Sequence, residues 1–164
     1  GLTQSKSRYQ IIAVDAYRPP YIPWQMTTRE FFQAAFDHLS ENGTLVINVG
    51  RAPNDRRLID GLATTISSVF PSVYVMDLPG TFNSMIYATR EPSKKEYLNA
   101  NMIRLSIDQE VNPLLTITLY KTWINLQPAP KKTIVFTDDL APIEWITNNM
   151  VLNYVLFGDV ESSQ

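Results

Sequence analysis

The sequence predicts an α/β fold, an open and largely parallel sheet with helices on its faces. Three observations carry that expectation. Nearly unbroken apolar runs recur at residues 9–15, 44–49 and 73–78, as in strands covered on both sides. Apolar residues at helical spacing fill the stretches between them. The resulting order is strand, helix, strand, helix, strand, strand, which right-handed crossovers convert into a layered sheet. At 164 residues, 45% hydrophobic and 18% charged, the chain is the size of one ordinary domain and buries about two-thirds of its unfolded surface.

The first strand ends at Asp15 and runs into a loop in which Pro19, Pro20 and Pro23 forbid helix. A helix follows. Thr27 and Glu30 have the spacing of a capping box, with Met26 and Phe31 as the hydrophobic staple. Phe31, Phe32, Ala35, Phe36 and Leu39 form its buried stripe, and Asn42-Gly43 is the expected stop. The next strand spans 44–49. Asn54 or Asp55 then caps a second helix whose inner face is Leu58, Ile59, Leu62, Ala63, Ile66 and Val69, ended by Pro71. Residues 73–78 and 84–89 read as an antiparallel pair joined at Pro79-Gly80.

Beyond that point the pattern is helical. Residues 93–110 place Leu98, Met102 and Leu105 on one face, and Asn112-Pro113 caps a helix over 114–126. Pro128-Ala-Pro130 reads as a linker, 132–136 as an extended segment, and 142–156 as a last helix. The expected organisation is residues 1–91 as a half sheet with its helices, and 92–164 as a mostly helical extension on the same core.

Composition removes several classes of function. There is no cysteine, which excludes disulfides, thiolate zinc sites and thiol catalysis. A single His and a net charge of −2, with a pI near 5.4, speak against a His-rich metal centre and against nonspecific nucleic-acid binding. No apolar run reaches the roughly 20 residues of a membrane span, and the start is not a signal peptide, so a cytoplasmic setting is expected. No G-x-G-x-x-G, phosphate-binding loop or nucleophile elbow is present. Gly1 has no initiator Met before it, as in an excised or processed product.

Asp15 is the leading candidate for chemistry, because ligands of open α/β sheets sit beyond the carboxyl ends of the strands. A carboxylate there serves as base, as metal ligand or as a cap for loop amides. Tyr17, Tyr21 and Trp24 form an aromatic wall or fold back onto the core. Arg18 is a solvated charge or an anion contact. Asp138, Asp139 and Glu144 read as helix-capping acids before they read as a cation cage, which needs more ligands. His38 near a helix end gains from the helix dipole and lacks partners for base catalysis. Arg56-Arg57 opens a helix, where cations are unfavourable; a solvated pair is the simplest reading.

From Tyr9 to Glu91 the sequence resembles the second half of the spermidine synthase-like family, within the Rossmann-like class I S-adenosylmethionine-dependent methyltransferase fold. The resemblance rests on the buried strand ending in Asp15, the proline-bearing loop, and Thr28-Arg-Glu-Phe-Phe32. Leu39-Ser-Glu-Asn-Gly-Thr-Leu-Val46 and Met85-Ile-Tyr-Ala88 continue it, and Thr137-Asp-Asp-Leu-Ala-Pro-Ile-Glu144 looks like the tail of longer relatives. It implies that these strands are numbers four to seven of that sheet. The first three, with the Gly-rich turn and the acid that holds the ribose, would precede Gly1. The chain would be a C-terminal fragment without most of the site for S-adenosylmethionine or its decarboxylated form, and inactive alone.

The same resemblance makes Asp15 the proton acceptor for a small amine substrate. It makes Tyr17, Arg18, Tyr21, Asn83, Asp138 and Asp139 substrate contacts. Polyamine-making members carry an Asp-Ser-Ser-Asp-Pro-like motif where this chain has Asp15-Ala16-Tyr17-Arg18-Pro19. The first Asp carries over. Arg18 replaces the second, and a cation there repels a diamine. The family's tyrosine after the sixth strand has no counterpart in Thr81-Phe82-Asn83. A divergent acceptor, or a noncatalytic dimerisation or protein-binding module, are the two readings this leaves. An exposed edge on the Asp15 strand would be an apolar edge of unpaired amides, to be covered by the C-terminal segment or paired in a homodimer.

Overall fold

A computed structural model describes residues 7–17, 22–52, 55–108, 110–130 and 134–157. Its centre is a five-stranded mixed sheet in the order β1-β2-β4-β3-β5, formed by β1 (Tyr9–Tyr17), β2 (Leu39–Gly50), β3 (Ser72–Asp77), β4 (Asn83–Thr89) and β5 (Leu126–Pro128). The helices are α1 (Arg29–His38), α2 (Arg57–Ser67), α3 (Lys95–Ser106), α4 (Pro113–Asn125) and α5 (Ile143–Phe157). β1 and β2 run parallel, with Val14 opposite Ile47. β4 returns antiparallel between β2 and β3, pairing Ile47 and Val75 on either side of Ile86. The α/β class is as the sequence predicts, but the sheet is not largely parallel: only β1 and β2 pair in parallel, because β4 is inserted between β2 and β3 and β5 adds antiparallel to β3.

Alternation along β2 buries Leu45, Ile47 and Val49 completely, while Val46 and Asn48 are half-buried. The strand is thus sealed on one face more than the other. Against the sealed face lies α2, whose Leu58, Ile59, Leu62, Ala63 and Ile66 are all fully buried. Packing of this kind, at about 25 cal/mol per Å² of apolar surface removed from water, is what holds the layers together. α5 docks on α2 through Ile143, Ile146 and Met150, all buried.

Several local expectations shift. The cap of α1 is Thr28, whose hydroxyl accepts from the Phe31 N–H, not Thr27. Thr27 instead donates to the Trp24 carbonyl at 2.6 Å, closing a single 3-10 turn at Trp24–Met26. Glu30 is therefore free of a capping box, and its carboxylate accepts from the Asp138 backbone N–H at 3.1 Å. α1 ends at His38, earlier than Asn42-Gly43, and the chain enters β2 directly. The register steps from Tyr9↔Leu39 to Ile11↔Thr44, so the intervening residues loop outward. Gly43 is needed there, because a Cβ would come within 2.8 Å of the Ser40 carbonyl oxygen.

Leu126–Pro128, where the sequence predicts the end of a helix at Leu126 and the start of a linker at Pro128, is a fifth strand hydrogen-bonded to β3. Of the extended segment 132–136, residues 132 and 133 lie outside the described residues; Phe136 is not in a strand but is buried as a plug against α2. Its N–H donates to Thr65 Oγ1 and its carbonyl accepts from the Arg29 N–H, both at 2.9 Å. α3 and α4 pair with each other beside β3, and neither contains a buried residue. β1 is the outer strand of the sheet. The C-terminal segment does not cover that edge among the described residues, since α5 lies on α2; Ile11, 66% exposed, stands open there.

Candidate functional site

Parallel strands bring the carboxyl ends of β1 and β2 side by side, and β4 starts beside them. This places Asp15 next to Asn48. The Asn48 Nδ2 donates to Asp15 Oδ1 at 2.9 Å, and Asp15 is exposed. One carboxylate oxygen is thereby held by the amide. The Asn48 Oδ1 is buried and has no hydrogen-bond partner among the described residues. An exposed carboxylate steadied by an amide at a strand end can accept N–H groups through its remaining lone pairs. Asn48 was not among the residues singled out from the sequence. The available signal was a lone amide within Leu45-Val-Ile-Asn-Val49.

The ends of β2, β3 and β4 carry a charged network that the sequence did not reveal. Asp77 closes β3; its Oδ1 accepts from Ser84 Oγ at 2.6 Å and its Oδ2 from Arg56 Nη1 at 2.5 Å. Arg51 reaches toward the same carboxylate at 4.0 Å and donates to the Thr81 carbonyl at 3.1 Å. Burial pushes the Asp77 carboxyl up, but the Ser84 and Arg56 hydrogen bonds and the Arg56 and Arg51 charges outweigh it and hold the group below its ordinary value. Asp60, in the first turn of α2, goes the other way: its burial raises it despite Arg56 at 3.7 Å. Arg57 forms a two-point pair with Asp55 and lies over the Trp145 ring. Arg56 and Arg57 are therefore both ion-paired, in place of the solvated pair expected from their sequence position.

The remaining predicted residues, where described, sit on different elements. Asn83 opens β4 opposite Gly50, its backbone N–H donating to Thr81 Oγ1 and its carbonyl accepting from the Leu78 N–H. Asp138 lies at the start of α1, lining a cavity of about 370 Å³ with Trp24, Thr28, Glu30 and Phe31. Asp139 is exposed in the turn after it. Tyr17 is the last residue of β1. Arg18 and Tyr21 lie outside the described residues. Among the described residues no group of three or more His, Asp or Glu side chains is placed to hold a metal. None of the described helices is long and apolar enough to cross a membrane.

Comparison with known proteins places this arrangement. The chain is 35% identical over 98 residues to a "probable polyamine aminopropyl transferase" of Bifidobacterium longum (strain NCC 2705), covering 58% of this chain and 22% of that protein. Among solved structures, a probable spermidine synthase from Corynebacterium glutamicum ATCC 13032 superposes with a TM-score of 0.51 at 20% identity, covering 66% of this chain and 42% of the other. A spermidine synthase in complex with the transition-state analogue AdoDATO gives 0.51 at 20% identity, with 73% and 43% covered. No protein-family model matches. The chain thus spans about a fifth of the curated relative and less than half of the solved structures. The expected resemblance is borne out on both sequence and fold: over part of its length, this chain is similar to the spermidine synthase-like family.

Proposed function

We propose that this chain supplies the amine-acceptor side of a spermidine synthase-like transferase, with Asp15 as the proton acceptor. The observation that supports this most is the exposed Asp15 carboxylate at the end of β1, one oxygen held by Asn48. An alkylamine with a pKa near 10.4 is neutral only about once in a thousand molecules near pH 7.4. The ammonium has no lone pair and must give up a proton before it attacks; the C–N bond would then form as the carbon–sulfur bond of the donor's sulfonium breaks and a neutral thioether leaves. In this reading the Asp15 carboxylate takes that proton, and the Asn48 Nδ2 hydrogen bond keeps it from rotating.

The donor, S-adenosylmethionine or its decarboxylated form, would supply a carbon made electrophilic by its sulfonium. These residues do not fit it. The sequence has no Gly-rich turn for it, and the carboxyl ends of β2 and β3 are filled by the Arg51–Asp77–Arg56 network. In this reading the chain alone binds neither form and has no activity. Residues 1–91 supply four strands of the half sheet and 92–164 are the extension, which adds β5, in a cytoplasmic protein. The free edge of β1 takes a further strand, from the remainder of the sheet or from a second copy. Arg18, standing where polyamine-making members carry an acid, favours an acceptor other than a simple diamine, or a noncatalytic module. Replacing Asp15 by Asn in the natural product of the reading frame decides between these. The transferase reading expects transfer to fall by roughly 10² to 10⁴; an unchanged rate removes Asp15 from the mechanism.

A further inference from the structure

The α3–α4 hairpin is built unlike a surface element. α4 carries a broad apolar face beside a polar side of Thr118, Lys121, Thr122 and Asn125, and Leu114, Ile117, Tyr120 and Ile124 are between 46% and 67% exposed. On α3, Ile103 is 56% exposed and Ile107, just after it, 79%. A groove of about 460 Å³ runs between the two helices, floored by Met102, Ile103, Ile117 and Tyr120. Soluble monomers seldom leave a contiguous apolar face of this kind open. α4 has 13 residues, about 20 Å of helix, too short to cross a bilayer.

The charges at the two ends of the hairpin differ in sign. At the turn, Asp108 and Glu110 outnumber Arg104; all three are exposed. At the open end, Lys94, Lys95 and Lys121 outnumber Glu96. Lys95 is committed locally, to the Leu126 carbonyl and the Trp123 ring, whereas Lys94 and Lys121 are exposed. A two-fold axis across the groove sets the turn of one hairpin against the open end of its copy. Acidic then meets basic at both ends, and the two apolar faces close into a four-helix bundle. We propose that the α3–α4 face is an isologous interface between two copies of this chain. It lies beside β3, at the end of the sheet away from β1. This inference does not depend on the transferase reading, and it leaves the β1 edge free.

Sedimentation velocity of the 164-residue chain tests it, with far-UV circular dichroism to show that each variant is folded. The chain is expected to dimerise at concentrations on the order of 10 µM. Asp108→Lys with Glu110→Lys should weaken the dimer about tenfold, and adding Lys94→Glu with Lys121→Glu should restore it. Loss without rescue, or a dimer indifferent to both changes, overturns the proposal. So does a dimer that dissociates on Ile11→Lys at the β1 edge, or a chain that stays monomeric to about 100 µM, whether or not it floats with lipid vesicles.

Discussion

Gly61 lies in the middle of α2, where glycine costs about 1 kcal/mol relative to alanine on propensity alone. Gly61→Ala should therefore stabilise the fold if only the helix mattered. The packing says otherwise. A Cβ on residue 61 would come within 2.3 Å of the Phe136 Cζ and 2.8 Å of Cε2. Phe136 is 1% exposed, and its backbone is tied at both N–H and carbonyl, to Thr65 and Arg29, so its ring has little room to retreat. Overpacking of this sort costs about 1–3 kcal/mol, which exceeds the propensity gain. Gly61→Ala is expected to lose about 1 kcal/mol net in urea denaturation. Phe136→Leu, which shortens the plug, should by itself lose about 1–3 kcal/mol. In that background Gly61→Ala should become neutral or stabilising. The cycle would then show a coupling of 1 kcal/mol or more, as contacting residues do. A Gly61→Ala chain that is more stable than the parent, or strictly additive effects, would refute the claim that Phe136 is what selects glycine.

Other expectations follow from the same contacts. Thr28→Ala removes the hydroxyl that caps α1 and should cost about 1 kcal/mol in thermal unfolding, with Thr28→Ser recovering most of it; an equal loss for both would assign the cost to packing. Asp77 is held below its ordinary value in the fold, so its stabilising contribution is complete above the unfolded value near 3.8 and is lost as pH falls through the folded one. The stability gap between the parent and Asp77→Asn, below about 1 kcal/mol after solvent screening, should close on acidification, and a gap constant from neutral pH to pH 3 would count against the network. Asp60 has the opposite sign: its raised value means stability is lost as pH rises through it. Asp60→Asn should gain stability at neutral pH and none in acid.

What could be read without coordinates was what local pattern controls. The strand at 9–15, the run 44–49, the stripe of α2 and the β3–β4 pair are each dictated by neighbouring residues, and they appear where the pattern puts them. The misplaced cap shows the limit. Thr27 and Thr28 both offer a hydroxyl, and only the Trp24 carbonyl, brought close by the 3-10 turn, decides that Thr27 is used elsewhere. β5 has three residues ending in proline, and nothing but its pairing with β3 makes it a strand. The site divides the same way. Asp15 was legible because it ends an apolar run. Asn48, 33 residues on, joins it only through the parallel register of β1 and β2. The Arg51–Asp77–Arg56 network likewise joins three separate elements. Its charges look solvated until α2 folds over the sheet.

The central claim is that an amine meets the chain at Asp15 and Asn48. Titrating the ¹⁵N-labelled chain with a simple alkyl monoamine, and following the side-chain amide of Asn48, tests it most directly. The account predicts that the Asn48 Nδ2 resonances move with added amine and stand still in Asp15→Asn. Resonances that never move, or that move equally in Asp15→Asn, would contradict it.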